Sequence, residues 1–252
     1  MRPPSNAYRV VSPYQPFAPE SNHHLELGLF DWPKALVYLE TLVRESCGVD
    51  TVALTDLDTW LPIPAFRYPT EEPHLMLWLL EVARAYLASD HFDRDTVWCC
   101  PDVLVFQDLA PWFTHDLGMI FRDGEKHRER PILNSVQWWR HRARAGLMAL
   151  YDEAIALART LPPETIRWGA DTVPFERLLA PMSLTPRRRN DLGIRYIEVG
   201  EVLESFSQRA HDHLHVGAWM TKPNKALLDF RGRRKRDLFA YVDTLHRQEV
   251  HA

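Results

Sequence analysis

Cysteine is scarce, with three residues in 252: Cys47, Cys99 and Cys100. An odd number with two of them adjacent does not build a disulfide framework, which favours a reducing compartment. No apolar signal core follows the Arg of the opening MRPPSNAYRV. The most apolar stretch, residues 75–87, is interrupted by Glu81 and Arg84, which excludes it as a membrane span. Internal repeats, low-complexity tracts and a linker long enough to divide domains are all missing. Neither sign of charge dominates: 30 Lys+Arg stand against 34 Asp+Glu, a net charge of −4, which is not the overall balance of a nucleic-acid binder. Together these absences lead us to expect one soluble, cytoplasmic domain spanning residues 1–252, with no membrane partner.

Hydrophobic residues at 46 % and charged residues at 25 % match an ordinary globular chain. Nine Trp, eight Tyr and eleven Phe supply a sizeable core, or faces for stacking on a flat ligand. Charge is unevenly spread. Residues 181–252 hold 13 Lys+Arg against 9 Asp+Glu, whereas the first 180 hold 17 against 25. A basic C-terminal part on an acidic body suits a phosphate-rich ligand, although solvated surface charge is the commoner cause of such a bias.

Changes of hydrophobic period predict alternating strands and helices. Residues 7–11 (AYRVV) read as a strand. Asp31, ahead of Trp32 and Pro33, is the N-cap of a helix running to about Ser46 and ending near Gly48. Residues 51–55 (TVALT) form a strand stopping at Asp56, and residues 74–88 have helical spacing. Two β-type runs, VWCC and VLVF, flank Pro101-Asp102. Residues 142–160 form a helix, residues 195–199 and 226–230 late strands, and residues 233–246 a terminal helix. This alternation predicts an α/β sandwich with a mainly parallel sheet, whose ligands bind beyond the carboxyl ends of the strands. Asp56, Asp102 and Asp229 fall at such ends or breaks. If they converge, the site is rich in carboxylate and requires a cation, a sugar-type ligand or a proton-transfer task.

The sharpest local feature is DFRGRRK, residues 229–235, joining an apolar strand to a helix. Gly232 allows close backbone approach, the helix start offers N–H groups to an anion, and Arg231, Arg233, Arg234 and Lys235 add charge. Asp229 is suited to a divalent ion bridging two phosphates. Asp102 interrupts an apolar strand pair and needs a partner there, a metal or a hydroxyl cluster. Asn134 and Ser135 in PILNSVQWW can hydrogen-bond sugar hydroxyls, and Trp168 in WGAD can stack on a ring. Each feature also has a plain structural explanation: a basic surface turn, an Asp at a strand turn, an Asn turn, a helix cap at Asp171. His211, His213 and His215 in HDHLH alternate as metal ligands on a strand would, although a solvated loop explains them as well. Arg187, Arg188 and Arg189 read as an exposed basic connection that could contact a diphosphate or DNA.

In order and spacing these segments resemble the nucleotide-sugar glycosyltransferases of the GT-A fold, especially family-8-type enzymes and their bacterial and phage relatives. The likeness covers roughly residues 50–245. VWCCPDVLVFQDL has the outline of the family's strand, DxD motif and following apolar run, with Cys100-Pro101-Asp102 in the DxD position. LNSVQWW matches a middle strand containing Asn. Trp168 and Asp171 match a Trp–Asp pair at a helix start. Asp229, Gly232 and Lys235 take the spacing of the family's H-x-x-G-x-x-K. Two positions depart from the pattern, Cys100 standing for Asp and Asp229 for His.

The resemblance implies a Rossmann-related GT-A-like sandwich and transfer of a hexosyl or pentosyl group from a nucleoside-diphosphate sugar, UDP-sugar foremost. The acceptor would be a hydroxyl, a modified base of phage DNA among the candidates. A base in a duplex would have to be flipped out to reach such a pocket. The resemblance further implies Mn²⁺ or Mg²⁺ held by Asp102 and Asp229, with Lys235, Gly232, Arg231 and Arg233 on the diphosphate. Asp56 would then lie near the nucleoside, Ser135 and Trp168 at the sugar, and Asp171 and Asn134 at the reacting carbon. For a phage-encoded chain the location would be the host cytoplasm. Two other readings remain open at this point: a non-catalytic nucleotide or nucleic-acid binder on a degenerate version of the fold, and a metal-dependent phosphohydrolase or nuclease.

Overall fold

The computed structural model of the chain describes residues 7–17, 30–122, 132–179, 193–206, 224–230, 235 and 237–250. Strands β1 (Tyr8–Pro13) and β2 (Thr51–Thr55) are buried at every position, as expected where both faces of a sheet are covered. They belong to a seven-stranded sheet with β3 (Ala65–Arg67), β4 (Asp95–Cys99), β6 (Leu117–Phe121), β7 (Ile132–Trp139) and β8 (Ile194–Glu198). Its order is β3-β2-β1-β4-β7-β6-β8. Every neighbouring pair is parallel except the two made by β7, which runs against β4 and β6. The carboxyl ends of β1, β2 and β4 therefore share one edge, and β7 enters the sheet from that edge.

A smaller sheet of order β5-β10-β9 comprises β5 (Val103–Val105), β9 (Leu203–Phe206) and β10 (Leu227–Phe230). Its β10 is antiparallel to β5 and parallel to β9.

Helix α1 (Trp32–Cys47) starts and stops where its sequence dictates. Asp31 accepts from the Lys34 N–H at 2.9 Å, satisfying a donor the first turn leaves free. Gly48 takes the left-handed conformation at φ 66° and returns its N–H to the Arg44 carbonyl. Helices α2 (Leu75–Ala88), α3 (Arg144–Ala158), α4 (Pro163–Gly169) and α5 (Val173–Leu179) follow along the chain. They cover one face of the large sheet, where Trp78, Tyr86, Tyr151 and Phe175 pack on Trp98 and Trp139. On the other face lie α1 and the small sheet, joined through Val97, Val136, Trp138, Val103 and Leu227. A single helical turn, α6 (Val199–Val202), leads into β9. The terminal α7 (Asp237–Val250) seals the outer side of the small sheet with Leu238, Tyr241 and Val242 against Leu104, Leu228 and Phe230.

The mixed α/β sandwich with a mainly parallel central sheet is the architecture expected from the sequence. The terminal helix is described from Asp237, and residues 233, 234 and 236 of the expected helix fall outside the described residues. The second sheet and β3 are additions that hydrophobic period alone did not reveal. Among the described residues no helix is long and apolar enough to cross a membrane.

Replacing Gly48 by Ala forces a β-carbon into the left-handed region. It should lower stability by about 1–2 kcal/mol. Urea unfolding measures this, and an unchanged midpoint would show that the turn after α1 tolerates a side chain.

Candidate functional site

Three residues, Cys100, Pro101 and Asp102, separate β4 from β5, in a turn closed by Val103 N–H on the Cys100 carbonyl at 3.1 Å. Asp229 lies directly opposite Val103 in the antiparallel β5–β10 pair, and Phe230 N–H donates to the Asp102 carbonyl at 3.0 Å. Opposed residues in such a pair share a face. Val103 and Leu227 on that face pack toward the large sheet, whereas Leu228 and Phe230 pack toward α7. The alternation thus places Asp229 between the two sheets, beside the end of β4.

Asp102 and Asp229 are only 9 % and 3 % exposed, so both carboxylates need compensation. Asp102 has it in Lys235, whose Nζ lies 2.5 Å from Asp102 Oδ2 and which is itself 6 % exposed. The same ammonium sits 4.8 Å from the centre of the Trp32 ring, a favourable cation–π position. Trp32 opens α1, so the helix start, the β4–β5 turn and Lys235, two residues ahead of α7, meet at one buried ion pair.

Cys100 reports what else is near. Burial pushes its thiol well above its ordinary value; the neighbouring Asp102, Cys99 and Asp171 raise it further, and Lys235 opposes this. Asp102, Asp171 and Lys235 are therefore all within electrostatic reach of one sulfur atom. At neutral pH Cys100 is a thiol and does not reproduce the hard anionic oxygen of an Asp.

Asp171 occupies the turn between α4 and α5, tied down by a chain of buried hydrogen bonds. Its carbonyl accepts from Asn134 Nδ2 at 2.8 Å. Asn134 Oδ1 accepts from Gln137 Nε2. Gln137 Oε1 in turn accepts from Trp139 Nε1 at 2.8 Å and from the Tyr151 hydroxyl at 3.2 Å. The strand geometry makes this possible. Between Met119 and Ile120 the β6–β7 register jumps from Gln137 to Leu133, leaving residues 134–136 outside that ladder. Such a bulge re-aims side chains. Here it turns Asn134 toward Gln137 and places Ser135 beside Cys100, whose N–H donates to the Ser135 carbonyl at 2.8 Å. Ser135 Oγ is enclosed with no hydrogen-bond partner among the described residues.

The structure thus brings Asp102, Asp229, Lys235, Asp171, Asn134 and Ser135 to one end of β4. Asn134 acts there through the backbone of Asp171, its side chain being spent on Gln137 and that carbonyl. Asp56 does not join them. Its Oδ1 accepts from the Asp58 and Thr59 N–H groups at 3.0 and 2.6 Å, and its Oδ2 from the Thr59 hydroxyl at 2.9 Å. It organises its own turn, two strands away from β4. Trp168 lies near the end of α4, not at a helix start, and Asp171 follows that helix. Arg231, Gly232, Arg233 and Arg234, the three histidines of residues 211–215, and Arg187–Arg189 fall outside the described residues. Trp32 and Gln137 are the contributors that sequence reading missed. A polar Gln inside the apolar VQWW was the available signal for the second; for Trp32 there was only its place after a cap.

The donor set suits a divalent ion in one specific way. Asp102 and Asp229 are hard oxygen ligands of the kind Mg²⁺ and Mn²⁺ take in ones and twos beside substrate phosphates. Among the described residues no group of three or more His, Cys, Asp or Glu is placed to hold a metal by itself. Phosphate oxygens and water would have to complete the shell.

No family model matches the sequence, and neither does any curated protein. Solved structures do match. A glycosyltransferase involved in glycosylation of the major capsid of PBCV-1 aligns over 94 % of this chain and 99 % of its own, with 12 % identity and a TM-score of 0.55. The glycosyltransferase GlyE of Streptococcus pneumoniae TIGR4 aligns over 93 % of this chain with 10 % identity and a TM-score of 0.53. Its apo form gives 94 %, 12 % and 0.54. This chain spans about three fifths of the GlyE structures. At such identities the likeness is one of fold, and the fold is GT-A-like.

Substituting Gln137 by Leu strands the Trp139 N–H, the Tyr151 hydroxyl and Asn134 Oδ1 in the core. It should lower stability by roughly 2–4 kcal/mol. Chemical denaturation measures it, and a loss under about 1 kcal/mol would mean the Gln137 amide does not hold Asp171 in place.

Proposed function

We propose that this chain is a glycosyltransferase that moves a sugar from a nucleoside-diphosphate sugar, UDP-sugar foremost, to an acceptor hydroxyl. The observation that carries the reading is the convergence of Asp102, Asp229, Lys235 and Asp171 at the carboxyl end of β4, in a fold shared with glycosyltransferases. Departure of a nucleoside diphosphate builds negative charge on the leaving group, and groups aimed at that charge lower the barrier. Lys235 supplies an ammonium there. A divalent ion on Asp102 and Asp229 would supply further Lewis-acid stabilisation of the diphosphate. Ser135, with its enclosed and unpartnered hydroxyl, offers a hydrogen bond to a sugar hydroxyl. Asp171, in the turn between α4 and α5, lies within electrostatic reach of Cys100. There it orients the acceptor or steadies an oxocarbenium-like carbon, and the Asn134–Gln137 chain fixes its backbone.

By likeness to family-8-type enzymes, transfer would keep the anomeric configuration. Two acceptor classes follow from separate observations. The basic composition of residues 181–252 suits a polyanion such as phage DNA carrying a hydroxylated base. The neighbour involved in capsid glycosylation suggests a protein-borne glycan instead.

Incubation with a panel of UDP-, GDP-, ADP- and CDP-sugars should release one nucleoside diphosphate, slowly with water and faster with the true acceptor. Lys235→Ala should reduce that release by about 10²–10³-fold. Release from none of the donors, with the protein folded and Mn²⁺ present, would sink the assignment.

A further inference from the structure

The Lys235 ammonium holds one of the two oxygens of Asp102, Oδ2, at 2.5 Å. Two cations sharing one largely buried carboxylate repel each other with little screening from water or salt. Lys235 is also gripped from its other side by Trp32, 4.8 Å from the ring centre. A metal taking that oxygen displaces it. The displaced ammonium in turn needs another anion, because a buried charge deprived of its partner is strongly disfavoured. A diphosphate bound beside it is such an anion.

We propose that Lys235 occupies the metal's place in the free protein, so that a divalent ion gains Asp102 only when a nucleoside diphosphate arrives to take over the ammonium. This rests on the nucleotide-sugar reading above and adds to it a partner exchange: Asp102 passes from Lys235 to the metal, and Lys235 from Asp102 to the diphosphate. The free protein holds metal weakly, and each ligand strengthens the other by the same factor, as linkage requires. Trp32 is the positioning residue that keeps the ammonium in the slot.

The test is a titration with Mn²⁺, free ion followed by electron paramagnetic resonance, on the full chain without nucleotide. Lys235→Met, which keeps the stem against Trp32 and removes the charge, should bind Mn²⁺ about tenfold more tightly than wild type. Lys235→Arg should not gain, and adding Asp102→Asn to Lys235→Met should abolish the gain. Lys235→Gln, whose amide still donates to Asp102, takes the place of Lys235→Met if that variant does not fold. Uncharged variants that bind Mn²⁺ no more tightly than wild type would overturn the exchange. Repeating the wild-type titration with UDP, GDP, ADP and CDP separates this failure from that of the wider reading. If one nucleotide strengthens Mn²⁺ binding while the variants show no gain, glycosyl transfer stands and only the exchange falls. If no nucleotide strengthens it, both fall.

Discussion

A carboxylate buried in the turn that joins two sheets has to be neutralised, and the geometry around Asp102 follows from that requirement. Its counter-ion comes from near the other end of the chain, and holding Lys235 in reach takes three separate pieces of structure. β10 must pair with β5 to carry the chain back, α7 must seal the small sheet, and α1 must begin where its first ring can face the ammonium. Removing one member of such a pair leaves a charge in low dielectric, typically a loss of about 3–5 kcal/mol. The pair is thus a constraint on the fold as much as a contribution to it. Its local dielectric also makes any cation or anion that enters count for more than it would in water.

The other side of the site is built on neutral hydrogen bonds. Gln137 is wholly buried and satisfies Asn134, Trp139 and Tyr151 at once. Its neighbours belong to the large sheet and to α3, and through Asn134 it reaches the turn that carries Asp171. A charged pair governs the end where a phosphate would lie, and an uncharged scaffold governs the end where a sugar would lie. That division gives one part of the site a strong field and the other a fixed shape.

Much of the fold was legible because it rests on local signals. Asp31 and Gly48 bounded α1 almost to the residue, and the TVALT run became β2 without change. The small sheet was not legible, because β10 is defined by β5 and β9, and pairing across so much sequence leaves no local period. In the site, Asp102, Asp229 and Lys235 stood out as charges beside apolar strands, and the structure draws them together. Asp56 looked the same in sequence but spends its oxygens on its own turn, since Thr59 places a hydroxyl and an N–H within reach. Asn134 was visible as a polar residue in a strand, whereas its role depends on a bulge in the β6–β7 ladder that no motif announces.

The position of β10 in the middle of its sheet has a consequence for how the chain comes into being. Strands β5 and β9 flank it and do not touch each other, so neither has a mate in that sheet until residues 227–230 are made. A ribosome delivers the large sheet, α1 and the Asp102 turn long before it delivers their lid. During that interval the growing polypeptide carries an open strand edge, and its carboxylate waits in contact with water for a lysine not yet translated. The small sheet and the Asp102–Lys235 pair are thus the last parts of the described fold to be completed.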